Sequence, residues 1–160
     1  MLIHLTKSTN PLQIFNMLII IFLTISTLTD FLYRKIYNTV LIPMFLVALY
    51  LHQNNLPEFF IGLLISTIFI ITLYKLKFFA GGDAKLLIIL GATVGYPDLF
   101  YLFATIFIIG GLQAMASKII SHSKVKKYYF INFMHFKNFE NSQLPYALSI
   151  LLGYLIFLLQ

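Results

Sequence analysis

The feature that most constrains this chain is its division into six apolar segments, each bounded by a short polar break. The first, residues 11–29, has about the 20 residues that a bilayer-spanning helix needs. In hydrocarbon every backbone N–H and C=O must be satisfied within the segment, so such segments fold as helices. The expected helices are about 11–30, 38–52, 57–76, 83–96, 98–116 and 143–159. The chain thus reads as an all-α integral membrane protein, one membrane domain over residues 1–160, with no soluble domain and no internal repeat. Composition agrees: 60% of residues are hydrophobic and only 10% charged, where soluble domains carry about 25% charged residues. A cleaved signal peptide is disfavoured for the first segment, because no small-residue cleavage site follows it and five more apolar segments do.

Local signals mark the ends and contacts of the segments. Pro43 sits inside the second and predicts a kink. Pro57-Glu58 and Pro97-Asp98 open the third and fifth, as proline and an acid in a first helical turn should. Gly91, Ala92 and Gly95 in the fourth, and Gly110, Gly111 and Ala114 in the fifth, suit close helix approach.

Charge sets the expected topology. Ten of the eleven basic residues fall in the breaks after segments one, three and five: Arg34, Lys35, Lys75, Lys77, Lys85 and the five lysines between 118 and 137. The positive-inside rule puts these breaks in the cytoplasm and both termini outside. The long break, 117–142, interleaves its lysines with Tyr128, Tyr129, Phe130, Phe133, Phe136 and Phe139. Beside a membrane this mixture suits a segment lying on an anionic lipid surface, and it is not expected to bind nucleic acid.

On that topology Asp30, at the end of segment one, and Asp83, at the start of segment four, share the cytoplasmic depth. Glu58 and Asp98 lie on the opposite face, and Glu140 in the long break. A carboxylate at a membrane boundary is costly unless paired, so these two call for an explanation. Close carboxyls cannot both ionise cheaply and can share one proton. One then activates water as a base while the other donates to a scissile carbonyl as an acid. Gly81 and Gly82 beside Asp83 would permit positive φ and admit a substrate backbone. Each residue also has a plainer role. Asp30 and Arg34 are spaced for an ion pair along a helix, Asp83 could cap a helix after a glycine turn, and Lys85 could reach the lipid headgroups. The four histidines are scattered without ligand spacing and read as solvated, and with no cysteine in the chain no metal or other cofactor is expected.

Three stretches resemble a known family. Ala80-Gly81-Gly82-Asp83-Ala84-Lys85-Leu86-Leu87 is similar to the GxGD motif of type IV prepilin peptidases, which are intramembrane aspartyl proteases. Asp30 to Asn38 resembles their other signature, an aspartate followed by arginine and then Ile-Pro-Asn, and Leu144-Pro145-Tyr146-Ala147-Leu148 resembles the Pro-Tyr element opening their last helix. Ala80 stands where the motif has its first glycine and Tyr37 where it has proline. The resemblance implies a catalytic pair, Asp30 and Asp83, supported by Gly81, Gly82, Lys85, Arg34 and Asn38. It implies cleavage of a short basic leader, after a glycine and before the apolar helix of a prepilin or pseudopilin, in the bacterial cytoplasmic membrane. The larger members also N-methylate the new terminus through an added cysteine-bearing region. This chain has neither, and resembles the peptidase-only branch, including enzymes of Flp and tight-adherence pilus systems. The implied partners are the substrate and membrane lipids, and a homo-oligomer is compatible. Two rival classes use the same residues: a small ion- or proton-coupled transporter, and a non-catalytic scaffold of a pilus or secretion assembly.

Overall fold

The structure is a computed structural model that describes residues 11–96, 98–122 and 146–159. Within them the chain forms six helices: α1 Pro11–Tyr33, α2 Asn38–Leu51, α3 Leu56–Lys75, α4 Gly81–Val94, α5 Leu99–His122 and α6 Ala147–Leu158. Three stretches are long and apolar enough to cross a membrane: Gln13–Tyr33, Leu56–Lys75 and Leu99–Ala116. The helices α2 and α6 are apolar but shorter.

The helix bounds differ from expectation in instructive places. Helix α1 runs a turn past Asp30, so this acid lies within the helix. Helix α5 reaches His122, beyond the expected end at 116, while the rest of the basic and aromatic break, with Leu144 and Pro145, lies outside the described residues. Helix α2 continues through Pro43. His52 is half-buried rather than solvated. Its Nδ1 lies 3.2 Å from the Ala48 carbonyl, and its ring packs on Phe59 at 5.9 Å.

Helix α4 is central. It packs along α3 and α2 and touches α5, while α6 pairs with α5 and crosses α1. Its buried side chains include Leu86, Leu87, Leu90 and Ala92. Between apolar helices in lipid there is no hydrophobic driving force, so close van der Waals fit must hold them. The α3–α4 contact supplies it. A Cβ at Gly62 would lie 2.9 Å from the Gly91 carbonyl oxygen and 3.0 Å from the Gly95 Cα. Ser66, fully buried on α3, donates to Gly62 of its own helix at 2.7 Å and reaches the Ile88 carbonyl of α4 at 3.2 Å. Gly95 ends α4 at φ +75° and lies against the Glu58 side chain, which Asn55 Nδ2 reaches at 2.6 Å.

Candidate functional site

The first turn of α4 places Asp83. Ala80 precedes the helix with extended backbone, and Gly81 and Gly82 are its first two residues. The glycine pair is therefore helical, and among the described residues Gly95 alone is a glycine with positive φ. Gly82 is small for another reason: a Cβ there would come 3.1 Å from the Ile36 Cβ in the α1–α2 connection. Asp83 is the third helical residue, and the Ala80 backbone N–H donates back to its carboxyl. This is the acid's half of a capping box rather than an N-cap.

Asp30 is fixed from another direction. The Ala147 N–H, at the start of α6, donates to its carboxyl. The Ala147 carbonyl in turn accepts from Thr27 Oγ1 at 3.3 Å. The first N–H groups of any helix lack an internal partner, and Asp30 of α1 supplies one to α6. Both carboxyls thus sit at the positive end of a helix dipole, Asp83 at that of α4 and Asp30 at that of α6.

The two acids come from helices far apart in sequence and meet. They are close enough to interact electrostatically, and both are buried, Asp30 at 9% and Asp83 at 6% exposure. Asp30 Oδ2 and Asp83 Oδ1 have no hydrogen-bond partner among the described residues. Buried polar atoms are nearly always paired, so unpaired oxygens on adjacent acids are unusual and mark a place for water or substrate.

Two cavities open on the pair. The smaller, about 400 Å³, is polar-rimmed and lined by Arg34, Asn38, Gly81 and Gly82 along with the two aspartates. The larger, about 710 Å³, is mostly apolar and runs between α3 and α5. Of the other expected site residues, Lys85 stands apart. It faces a groove between α2 and α4, where its Nζ donates to Asn38 Oδ1 at 3.3 Å. Arg34 lies one turn after Asp30; its N–H donates to the Asp30 carbonyl at 2.9 Å, and its charge acts on the Asp30 carboxyl. It ends α1 in a left-handed conformation, φ 55°, and lines both cavities.

Sequence reasoning gave no site role to several residues here. Lys77 ends α3 as Arg34 ends α1, at φ 62°, and also lines the large cavity. Neither is a glycine, so no sequence signal marks the turn. Tyr146 packs edge-on against Phe79 at 4.8 Å, lines the large cavity and senses the charge of Asp83. Its ring occupies the space that a Cβ on Gly110 would need. Ser26, one turn before Asp30 and fully buried, has a hydroxyl without a partner among the described residues. The signal for Ser26 was its i, i+4 spacing from Asp30.

Comparison with curated proteins and with solved structures found no match. The model of the type IV leader peptidase family matches residues 17–115, a span that holds both aspartates, the α1–α2 connection and all of α4. Well over half of the chain is covered, and the chain belongs to the type IV leader peptidase family.

Proposed function

We propose that this protein is an intramembrane aspartic endopeptidase that removes the N-terminal leader of type IV prepilins or pseudopilins. One observation carries the reading: two carboxyls from separate helices face the same cavities, each with an oxygen unpartnered among the described residues. Such a pair holds one proton between its members and can hold a water at the unpartnered oxygens. The ionised member takes a proton from the water as its oxygen attacks the scissile carbonyl. The protonated member donates to the carbonyl oxygen. The tetrahedral adduct then collapses, the C–N bond breaks, and the departing nitrogen takes up a proton from the dyad.

The surrounding residues support this chemistry. Ala147 and Ala80 hold one oxygen of each acid through backbone N–H groups, which leaves the other oxygen of each for the reaction. Arg34 and Asn38 border the polar cavity, where a leader would lie. In this reading all six helices traverse the bacterial inner membrane, the termini are outside, and the aspartates work at the cytoplasmic face. The charge distribution supports that orientation. At 14 residues, α4 is about 21 Å long, short of the roughly 30 Å hydrocarbon thickness. That shortness lets Asp83 lie below the headgroups yet reach water through the cavities. The reading is of peptidase activity alone, as in the peptidase-only members that the chain resembles.

The test is co-expression with a prepilin, following leader removal by gel shift. Wild type cleaves, and Asp30→Asn and Asp83→Asn each lower the rate by about 10⁴-fold, the scale seen when one member of a catalytic unit is removed. Cleavage that survives either substitution refutes the dyad.

A further inference from the structure

Helices α3 and α5 flank α4 but are joined by rings rather than by close backbone packing. Phe69 of α3 stacks on Phe103 at 5.7 Å and meets Phe107 at a tilt at 5.9 Å, both of α5. On the Asp83 side of these rings the two helices part, and the 710 Å³ cavity fills the gap. Leu73 stands on one wall, Gly111 and Ala114 on the other, and Asp83 at the inner end.

The two adjacent glycines of α5 differ here. A Cβ on Gly110 would run into Tyr146, so its smallness seats that ring. A Cβ on Gly111 would meet nothing within 4 Å. Gly111 is exposed and borders the cavity, so its missing side chain leaves room that no part of the described protein uses.

We propose that this groove is the lateral seat of the substrate's own transmembrane helix, with Gly111 setting its width; the proposal rests on the peptidase reading above. Three features select a helix as occupant. The walls are mostly apolar, with Arg34, Lys77, Gln113 and Tyr146 as polar exceptions beside the two aspartates, so a peptide backbone along the apolar part must satisfy itself, as a helix does. A helix some 10 Å across takes up roughly 400 Å³ per turn, so the cavity's 710 Å³ admits between one and two turns. Beyond those turns lies a buried carboxylate with an unpartnered oxygen, where a peptide must unwind into hydrogen bonds. A lipid acyl chain would fill the walls but brings no amide group to the carboxyls at the inner end.

Because the chain has no cysteine, the seat can be tested by disulfide trapping. Gly111→Cys is introduced in an Asp83→Asn background, which keeps substrate uncleaved. It is co-expressed with prepilins carrying single cysteines over the first two turns of their apolar helix. Oxidation is expected to cross-link residue 111 with a periodicity of about 3.6 along the substrate. Ile42→Cys, in the separate groove between α2 and α4, is expected to give none. With Asp83 intact, Gly111→Leu is expected to lower kcat/KM by about 100-fold, as displacement of a substrate by an ångström does, while Ile42→Trp cleaves at the wild-type rate. Cross-linking at 42 instead of 111, reaction of the thiol introduced at 111 with lipid probes only, or full activity of Gly111→Leu overturns the seat. If wild type cleaves while any of these holds, the seat fails and the peptidase reading stands. If wild type cleaves no prepilin, the peptidase reading itself fails.

Discussion

At its C-terminal end α4 lies so close to α3 that the glycines of the two helices leave no space for a methyl group, and Ser66 bonds across the gap. At its N-terminal end the same helix faces two cavities and carries a buried acid with an oxygen unpartnered among the described residues. Fourteen residues separate a packed end from a hollow one. Glycine serves both. Gly91 is small because Ser66 presses on it, Gly82 because Ile36 does, and Gly111 on the facing helix because nothing does. Residue type alone therefore does not separate a packing glycine from one that leaves room for a ligand. What decides it is whether the missing Cβ points at protein or at space. The packed end acts as the anchor from which the hollow end is held open.

The contrast can be broken first at the packed end. Gly91→Val drives a branched side chain into Ser66 and Leu99, whose Cδ1 lies only 2.9 Å from where the new Cβ would sit. Overpacking of this kind costs about 3 kcal/mol. The expected result is a lower unfolding midpoint in detergent, with activity falling only as the folded fraction falls. A second substitution sharpens the contrast at the hollow end. Gly110→Ala displaces the Tyr146 ring from its seat while leaving the α3–α4 contact untouched. Cleavage is expected to slow by roughly tenfold, about 1.4 kcal/mol in the barrier, with little change in the unfolding midpoint. If stability falls instead, Tyr146 is a packing residue only. The smallest effect is expected at Lys77. A non-glycine residue in the left-handed region costs about 1–2 kcal/mol, so Lys77→Gly relieves strain, stabilises the fold by about 1 kcal/mol and raises the midpoint slightly. Thermal unfolding measures it, and a fall would show that the lysine side chain contributes more than its backbone conformation costs.

Much of this arrangement was legible before the structure. Long apolar runs with prolines and charges at their ends fix where helices can lie, and among the described residues the observed bounds follow them closely except at the C-terminal ends of α1 and α5 and at the start of α6. Asp30 and Asp83 were paired by charge-derived topology alone, and the structure brings them to common cavities. Other features were not legible, for identifiable reasons. Arg34 and Lys77 adopt a conformation that sequence usually announces with glycine. The glycine pair before Asp83 reads as a turn in one dimension, yet its role depends on Ile36, which only the three-dimensional fold brings near. Tyr146 and Gly110 are complementary shapes from different parts of the chain, and no periodicity within either segment encodes such a fit.

The bond from Ala147 to Asp30 also sets an order in time. Of the described helices, the acid belongs to the earliest to leave the ribosome and its partner to the last. At 5–20 residues per second, synthesis separates the two by on the order of ten seconds. During that interval a carboxyl of α1 waits in or near the membrane without the backbone that later holds it. The candidate site is completed only when α6 arrives, so its assembly is a late step of the chain's own biosynthesis.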